Sequence, residues 1–274
     1  MDGRTIGIEV EMTGLLRGAA LDIAAKFLHA TEIVPKPPNY IVYDRQGRKW
    51  RVDYDNSILL LKNTPSGMVA TTDEAYAVEL VSPVLCTGQV SLYTDLIAEL
   101  KNAGAVLSES CGLHVHIGGA GHTADSLKRL VSTVHGYGAR LLATLQINRK
   151  RRAYCGFPKD CLVERLEKLL NPTLREIEDA WYHGNKQGKR RFNNDIRKQF
   201  VNLHTFFHGI GTIEYRGFNA SLEPKDIQRC VDIALALDEA ARTGETRKLD
   251  GLLIHVPKER EREFAVKPKI RFAR

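Results

Sequence analysis

The chain has 274 residues, 43% of them hydrophobic and 27% charged, with a formal net charge of +7 at pH 7. This is the composition of an ordinary soluble globular protein that is long enough to bury a core. It excludes a membrane-spanning helix, because no apolar run approaches about 20 residues, and we expect no membrane partner.

The five cysteines are an odd number with no paired spacing, so they do not predict a disulfide framework. The N-terminus enters an acidic strand-like segment almost at once, without the pattern of a signal peptide. We therefore predict a reduced, cytoplasmic setting, in which most of the thiols act as small buried hydrophobic groups.

Apolar periodicity and turn residues predict a mixture of strands and helices. In the first part of the chain we expect a strand at 6–12, a helix at 18–31, a loop at 35–39 and strands at 40–43, 50–54, 57–61 and 75–81. A helix at 89–102 and a strand at 111–118 follow, and then a long helix at 124–147 that is bent near Gly136 and Gly138. The last elements are helices at 161–170 and, starting from Pro172, at 173–182, a polar loop at 184–194, strands at 200–207 and 211–218, and a helix at 223–242. The absence of a regular strand–helix alternation predicts an α+β fold with a largely antiparallel sheet.

Three of the predicted strands each carry two polar side chains two residues apart in an apolar run. They are Glu9 and Glu11 in IGIEVEM, His114 and His116 in CGLHVHIG, and Glu214 and Arg216 in GTIEYRGF. Residues at this spacing point to the same face of a strand. Charged groups among Ile, Val and Tyr are costly to leave without partners. The pattern therefore predicts one shared polar floor that binds cations and an anionic ligand.

Each pair has a functional interpretation and a structural one. Neighbouring carboxylates such as Glu9 and Glu11 repel one another unless a cation or a proton intervenes, and Mg²⁺ prefers such oxygen ligands, but a solvent-facing edge strand would also tolerate them. His114 and His116 suit a metal or a phosphate, or are satisfied core histidines. Arg216 beside a glutamate is a phosphate clamp or a structural ion pair, and taken singly the ion pair is favoured.

Basic runs occupy 149–152, 189–198 and 258–274. They predict attraction to nucleotide phosphates, nucleic acid or an acidic peptide, although for the tail a solvated surface is the favoured interpretation. In VDYDNSI, Asp53, Asp55 and Ser57 add further oxygens on one face, and a turn would use the same residues.

The motifs GIExE, DxS, ELVSP, GLHVHIG, VNL and TIEYRGFNAS follow one another from Gly7 to Ser221. In this order they resemble the amidoligase family, the COOH–NH₂ ligases related to glutamate–cysteine ligase and glutamine synthetase. The resemblance implies a curved, mainly antiparallel sheet of the glutamine synthetase/glutamate–cysteine ligase type, with helices packed on its outer face. It assigns 1–250 to an amidoligase-like catalytic domain and 251–274 to a basic C-terminal tail.

The resemblance also implies two or three Mg²⁺ ions and an ATP molecule on the concave face of the sheet. Its metal ligands are Glu9, His114 and Glu214 around the ion that bridges the phosphates, with Glu11 and Glu79 around an ion nearer the acceptor carboxylate and amine. Arg216, which stabilises the transferring phosphoryl group, and Glu79 are the predicted catalytic residues. The predicted nucleotide-binding residues are His116, Ser57, Arg149, Arg152 and Arg197, the three arginines by charge and position only.

The predicted activity is therefore an ATP-dependent carboxylate–amine ligase that forms an amide or isopeptide bond through an acyl phosphate. Its partners would be ATP, a carboxylate of an amino acid, peptide or protein side chain, and an amine. One alternative is a metal-dependent hydrolase that uses His114 and His116. Another is a basic nucleic-acid-binding protein, which is less favoured because aromatic residues make up only 7% of the chain and no stacking motif is present.

Overall fold

A nine-stranded antiparallel sheet organises the protein, in a computed structural model that describes residues 3–183 and 195–257. The main path of the sheet runs β10–β11–β9–β1–β7–β4–β3–β2, and β8 pairs with the start of β1 beside β7. The strands are β1 Thr5–Met12, β2 Glu32–Lys36, β3 Asn39–Tyr43, β4 Lys49–Asp53, β7 Val78–Val81, β8 Leu85–Cys86, β9 Gly112–Gly118, β10 Val201–Asn202 and β11 Thr212–Asn219, and a separate hairpin consists of β5 Leu61–Thr64 and β6 Gly67–Ala70.

Helices follow the strands without forming regular strand–helix units. Within the described residues they are α1 Arg17–Phe27, α2 Val90–Asn102, α3 Ala124–Gly136, α4 Gly138–Leu145, α5 Arg149–Tyr154, α6 Asp160–Glu167, α7 Leu174–Tyr182, α8 His204–Phe207, α9 Pro224–Thr243 and α10 Arg247–Leu252. The predicted α+β class and the mainly antiparallel sheet are confirmed. None of these helices combines the length and the apolar character needed to cross a bilayer.

Alternation along the central strands separates an apolar face of the sheet from a charged one. Ile8 and Val10 of β1 are fully buried in the core, as is Val115 of β9, whereas Glu9 between the first two lines a cavity on the other face. The core face is covered by helices, since α9 packs against β9, α2 and α3. The opposite face of the same strands is thereby left for polar side chains.

Most predicted elements occur close to their expected bounds. The long helix predicted at 124–147 divides into α3 and α4 at Tyr137, between the two glycines that suggested a bend. The helix predicted at 89–102 is α2, and Gly104, with φ of +105°, follows it in the left-handed conformation that favours glycine. Helix α9 begins at Pro224, a first-turn position at which a missing N–H costs nothing.

Four predicted elements are wrong in extent or type. The expected loop at 35–39 is reduced to a two-residue turn at 37–38 between β2 and β3, and the expected strand at 75–81 begins with a 3₁₀ turn before β7. Residues 57–60 are not part of a strand, because the Leu59 amide donates to the side chain of Ser110 instead of to a neighbouring strand, and Leu61 is the first residue of β5. Of the strand predicted at 200–207 only β10 is extended, and α8 follows it directly.

Smaller differences concern helix α7 and the ends of the chain. Thr173, not Pro172, precedes the first turn of α7, where it forms a capping box with Glu176. The polar loop predicted at 184–194 lies outside the described residues, as does the chain from 258 onwards. Helix α10 spans the predicted domain boundary at residue 250, and its Leu249 is buried in the core.

A buried ion pair joins α9 to the segment that precedes α3. The Asp238 carboxylate is fully buried and lies 2.8 Å from both His122 Nε2 and Arg242 Nε. Burial alone would raise the pKa of Asp238, but the hydrogen bonds from His122 and Arg242 outweigh it and lower that pKa below its ordinary value. The ionised form of Asp238 therefore stabilises the fold.

We expect Asp238→Asn to lower the free energy of unfolding at pH 7 by about 3–5 kcal/mol, because it leaves His122 and Arg242 without the carboxylate that accepts their hydrogen bonds. The stabilisation from a depressed carboxyl pKa is complete above the unfolded value of about 4 and is lost as pH falls through the folded pKa. Urea unfolding from pH 7 down to pH 3 should show the difference between wild type and variant shrinking below about pH 4. Asp232→Asn on the same helix is the control, and a pH-independent difference would contradict the assignment.

Candidate active site

A cavity of about 710 Å³ lies over the charged face of the sheet. Its walls come from β1, β4, β7, β9 and β11, from α5, and from the segments next to β10. The acidic and imidazole side chains on its wall are Glu9, Glu11, Asp53, Asp55, Glu79, His114, His116 and Glu214, and the cationic ones are Arg51, Arg151, Arg197, Lys198 and Arg216.

The strand register brings the three predicted pairs together. Glu9 lies opposite His114 across β1 and β9, and Glu214 lies opposite His116 across β11 and β9. On the other side of β1, Glu11 lies opposite Glu79 of β7. Opposed residues on neighbouring strands have side chains about 5 Å apart on the same face. Groups that are up to 205 positions apart in sequence therefore meet on one floor.

Two groups on this floor have the composition of a metal site. The first contains Glu9, His114 and Glu214, and the second contains Glu11, Glu79 and His114, each with ligand atoms within 4.8 Å of one another. His114 lies between them: its Nδ1 is 3.2 Å from a Glu9 oxygen and 3.7 Å from a Glu214 oxygen, and its Nε2 is 3.7 Å from a Glu11 oxygen. Carboxylate and imidazole donors in this arrangement fit a divalent cation.

The acids on the floor differ in charge state. Burial would raise the pKa of Glu9, but His116 and His114 hold that pKa well below the ordinary value. The pKa of Glu214 is also lowered, because Arg216 and the two histidines outweigh its burial. The pKa of Glu79 is instead raised well above the ordinary value by burial and by the charges of Glu9 and Glu11. The second group thus concentrates negative charge that a cation would relieve.

Several nitrogen atoms at the site are buried without a hydrogen-bond partner among the described residues. They include His116 Nε2 and Arg216 Nε. The first lies 3.5 Å from a Glu9 oxygen without forming a hydrogen bond, while the other ring nitrogen, Nδ1, is 2.9 Å from the Thr212 hydroxyl. Unused donors in a buried site are costly unless a ligand completes them. These residues therefore fit an anionic group bound beside a metal.

The cations are unevenly placed across the cavity. Arg151, Arg197, Lys198 and Arg216 belong to α5, to the segment before β10 and to β11, and we call this the basic side. On the opposite side, Arg51 of β4 lies 3.3 Å from Asp53 and 3.8 Å from Glu9. A polyanion would be attracted to the basic side.

Arg151 reaches the floor through an opening left by a glycine. It is 2% exposed, and its guanidinium donates to the carbonyls of Ser110 and Arg216. The same group lies 3.4 Å from His114 Nε2. A Cβ atom on Gly112 would lie 2.3 Å from the Arg151 Cζ atom, so only glycine leaves room for it.

The predicted site residues are placed unequally around this cavity. Those on its wall are Glu9, Glu11, Ser57, Glu79, His114, His116, Arg197, Glu214 and Arg216. Arg149 and Arg152 are exposed and do not line it, whereas Arg151 between them is buried and does. A short helix turns successive residues by about 100°, so only one member of this basic run faces the sheet. The Ser57 amide donates to Asp55 Oδ1 at 2.6 Å. This is the turn that the sequence analysis considered as the alternative role of this segment.

Fold and cavity together define an α+β protein whose antiparallel sheet carries a histidine–carboxylate floor with cations along one side. The family model described as "putative amidoligase enzyme" matches residues 2–238. The chain therefore belongs to the amidoligase family, whose description is that of a ligase-type enzyme, as the sequence motifs predicted. Among curated proteins, no sequence matches this chain.

We expect Gly112→Ala to displace the Arg151 guanidinium and to lower the free energy of unfolding by about 1–3 kcal/mol, because a Cβ atom overfills this contact. In an Arg151→Ala background the same change should cost less than half as much, since the obstructing group is absent. Urea denaturation of the four proteins measures this. Gly136→Ala, with no atom near its Cβ position, is the control, and an equal cost in both backgrounds would refute the contact.

Proposed function

We propose that this protein is an ATP-dependent carboxylate–amine ligase that forms an amide or isopeptide bond through an acyl phosphate. The observation that supports this most directly is the single cavity in which two histidine–carboxylate groups adjoin four cations. Family membership supports the ligase class, and the charge arrangement supports a polyphosphate as the second ligand.

The proposed reaction has two steps. An oxygen of the substrate carboxylate forms a bond to the γ-phosphorus of ATP while the bond from that phosphorus to ADP breaks, which leaves an acyl phosphate. The nitrogen of the amine then bonds to the acyl carbon, phosphate departs with its bonding electrons, and the amine releases a proton to a base. The substrates are a carboxylate of an amino acid, peptide or protein side chain and an amine.

Glu9, His114 and Glu214 would hold one Mg²⁺ ion, and Glu11 and Glu79 would hold a second. Bound Mg²⁺ would neutralise the phosphate oxygens during transfer. The fit rests on the ligand set, which consists of carboxylates and an imidazole whose ligand atoms lie within 4.8 Å of one another.

The chain's own residues supply the remaining functions. Arg216 lies beside Glu214, with 3.6 Å between Nη1 and the carboxylate, and its unpartnered Nε can donate to the transferring phosphoryl group. His116, through Nε2, would contact the nucleotide, and Arg197 would contact phosphate from the basic side. In the basic run at 149–152, we propose that Arg151 contacts phosphate, and not Arg149 or Arg152. Glu79 is the proposed catalytic carboxylate beside the amine.

Two further predictions accompany this proposal. The sheet would belong to the glutamine synthetase/glutamate–cysteine ligase type, with the cavity on its concave face. The protein would act in the cytoplasm. The sequence-level alternative of a nucleic-acid-binding protein gains no support in the described residues, because the floor of the cavity is acidic and would repel a phosphate backbone without bound cations.

We expect Glu214→Gln to weaken Mg²⁺-ATP binding at least tenfold while leaving the fold intact, because the change removes one charge and keeps the size and shape of the side chain. In thermal melting, Mg²⁺-ATP should raise the melting temperature of the wild type, with a gain in the free energy of unfolding of about 2.7 kcal/mol at a ligand concentration of 100 times Kd. The melting temperature of the variant should rise less. Glu109→Gln, an exposed glutamate outside the cavity, is the matched control.

Mass spectrometry of reactions with ATP and pooled amino acids, peptides and amines tests the reaction itself. Formation of ADP and a condensed product only when ATP, a carboxylate and an amine are all present supports the ligase. Hydrolysis of an added substrate with Zn²⁺ and without ATP would instead establish the metal-dependent hydrolase. Full Mg²⁺-ATP stabilisation of Glu214→Gln would overturn the assignment of the first metal group.

A further inference from the structure

Asn202 lies beside Glu214 at the edge of the floor of the cavity and is not part of the cavity wall. It is fully buried, and its register partner on the neighbouring strand is Glu214. It belongs to β10, the two-residue strand that ends where α8 begins. The sequence analysis gave no role to its side chain.

The orientation of the Asn202 amide is determined by its neighbours. Its Oδ1 accepts a hydrogen bond from the backbone N–H of His204 at 2.9 Å, a role that the NH₂ end of the amide cannot fill. The other end must therefore be Nδ2, which donates to Glu214 Oε2 at 2.6 Å. Because both ends are engaged, the amide cannot flip without losing two buried hydrogen bonds.

The Asn202 backbone is also fixed. It is paired with β11, and its carbonyl accepts a hydrogen bond from the Thr205 hydroxyl, which lies within reach of the Thr212 carbonyl as well. The donor that faces Glu214 is consequently held by sheet pairing on one side and by the first turn of α8 on the other. A donor held in this way orders the carboxylate that it contacts.

The hydrogen bond from Asn202 gives the two carboxylate oxygens of Glu214 different roles. Oε2 is occupied by Asn202, whereas Oε1 faces the first metal group, 3.7 Å from His114 Nδ1 and 3.6 Å from Arg216. Glu11 shows the same division: Oε2 accepts the Gly112 amide at 2.7 Å, and Oε1 faces His114. Glu214 and Glu11, on the two sides of His114, thus each direct one carboxylate oxygen toward the metal groups.

We propose that Asn202 is a positioning residue that makes Glu214 a one-oxygen ligand of the ion in the first metal group. The inference rests on the proposed function, since it concerns the ion site assigned there. It adds a residue that touches neither the nucleotide nor the ion and whose effect is carried by Glu214. Mutation of a residue that hydrogen-bonds to a metal ligand typically changes the metal affinity 10–100-fold.

The test uses Mn²⁺ in place of Mg²⁺ and measures free Mn²⁺ by electron paramagnetic resonance in titrations of the full chain. Asn202→Ser is the principal variant, because a serine hydroxyl can still accept the His204 N–H but is too short to reach Glu214. We expect it to weaken Mn²⁺ binding 10–100-fold, and Asn202→Ala to do the same. Ser126→Ala, which removes buried hydrogen bonds on the helix-covered side, should leave Mn²⁺ affinity within twofold.

A double-mutant cycle with Glu214→Gln separates positioning from a general loss of structure. If Asn202 acts through Glu214, adding Asn202→Ser to Glu214→Gln should weaken Mn²⁺ binding by less than threefold. Equal loss in both backgrounds, or wild-type affinity in Asn202→Ser, would overturn the inference. Failure of the wild type to bind Mn²⁺, or an unchanged affinity in Glu214→Gln, would instead overturn the ion site and the inference with it.

Discussion

Glu9 and His114 face each other across β1 and β9, and the charged floor depends on this contact. It is maintained from the opposite side of the sheet, where Ile8 and Val115 are packed against the helices. A slip of one residue in this register would send the glutamate into the apolar core and an isoleucine into the cavity, and both transfers are unfavourable. The geometry of the site is thus enforced by hydrophobic packing that lies wholly outside it.

Each acid on the floor is balanced differently, and the differences give the two metal groups different characters. Glu9 is held ionised by two imidazoles, and Glu214 by Arg216 together with the histidines. Glu79 receives no comparable support and retains charge repulsion from its neighbours. The first group is therefore electrostatically satisfied by the protein to a large extent, whereas the second depends more strongly on a bound cation.

The sequence predicted those parts of the site that rest on strand periodicity. The spacing of two between polar residues in β1, β9 and β11 determines which side chains share a face, and antiparallel pairing did the rest. It could not identify Arg151, because charge alone does not show which residue of a basic run a six-residue helix turns inward. Asn202 was missed because the apolar residues around it suggested one continuous strand to 207, whereas a side-chain hydrogen bond begins a helix there. The β5–β6 hairpin was missed because its strands are largely exposed and lack alternation.

The opening at Gly112 lets the side chain of a helix residue reach the floor between the strands. Helix α5 lies outside the strand ladder and packs against β11. A smaller uncharged residue in place of Arg151 would leave a hollow bordered by Glu11 and His114, with one positive charge fewer beside them. Relatives that keep glycine at this position but vary the inserted side chain would therefore offer differently sized and differently charged chambers on the same set of strands.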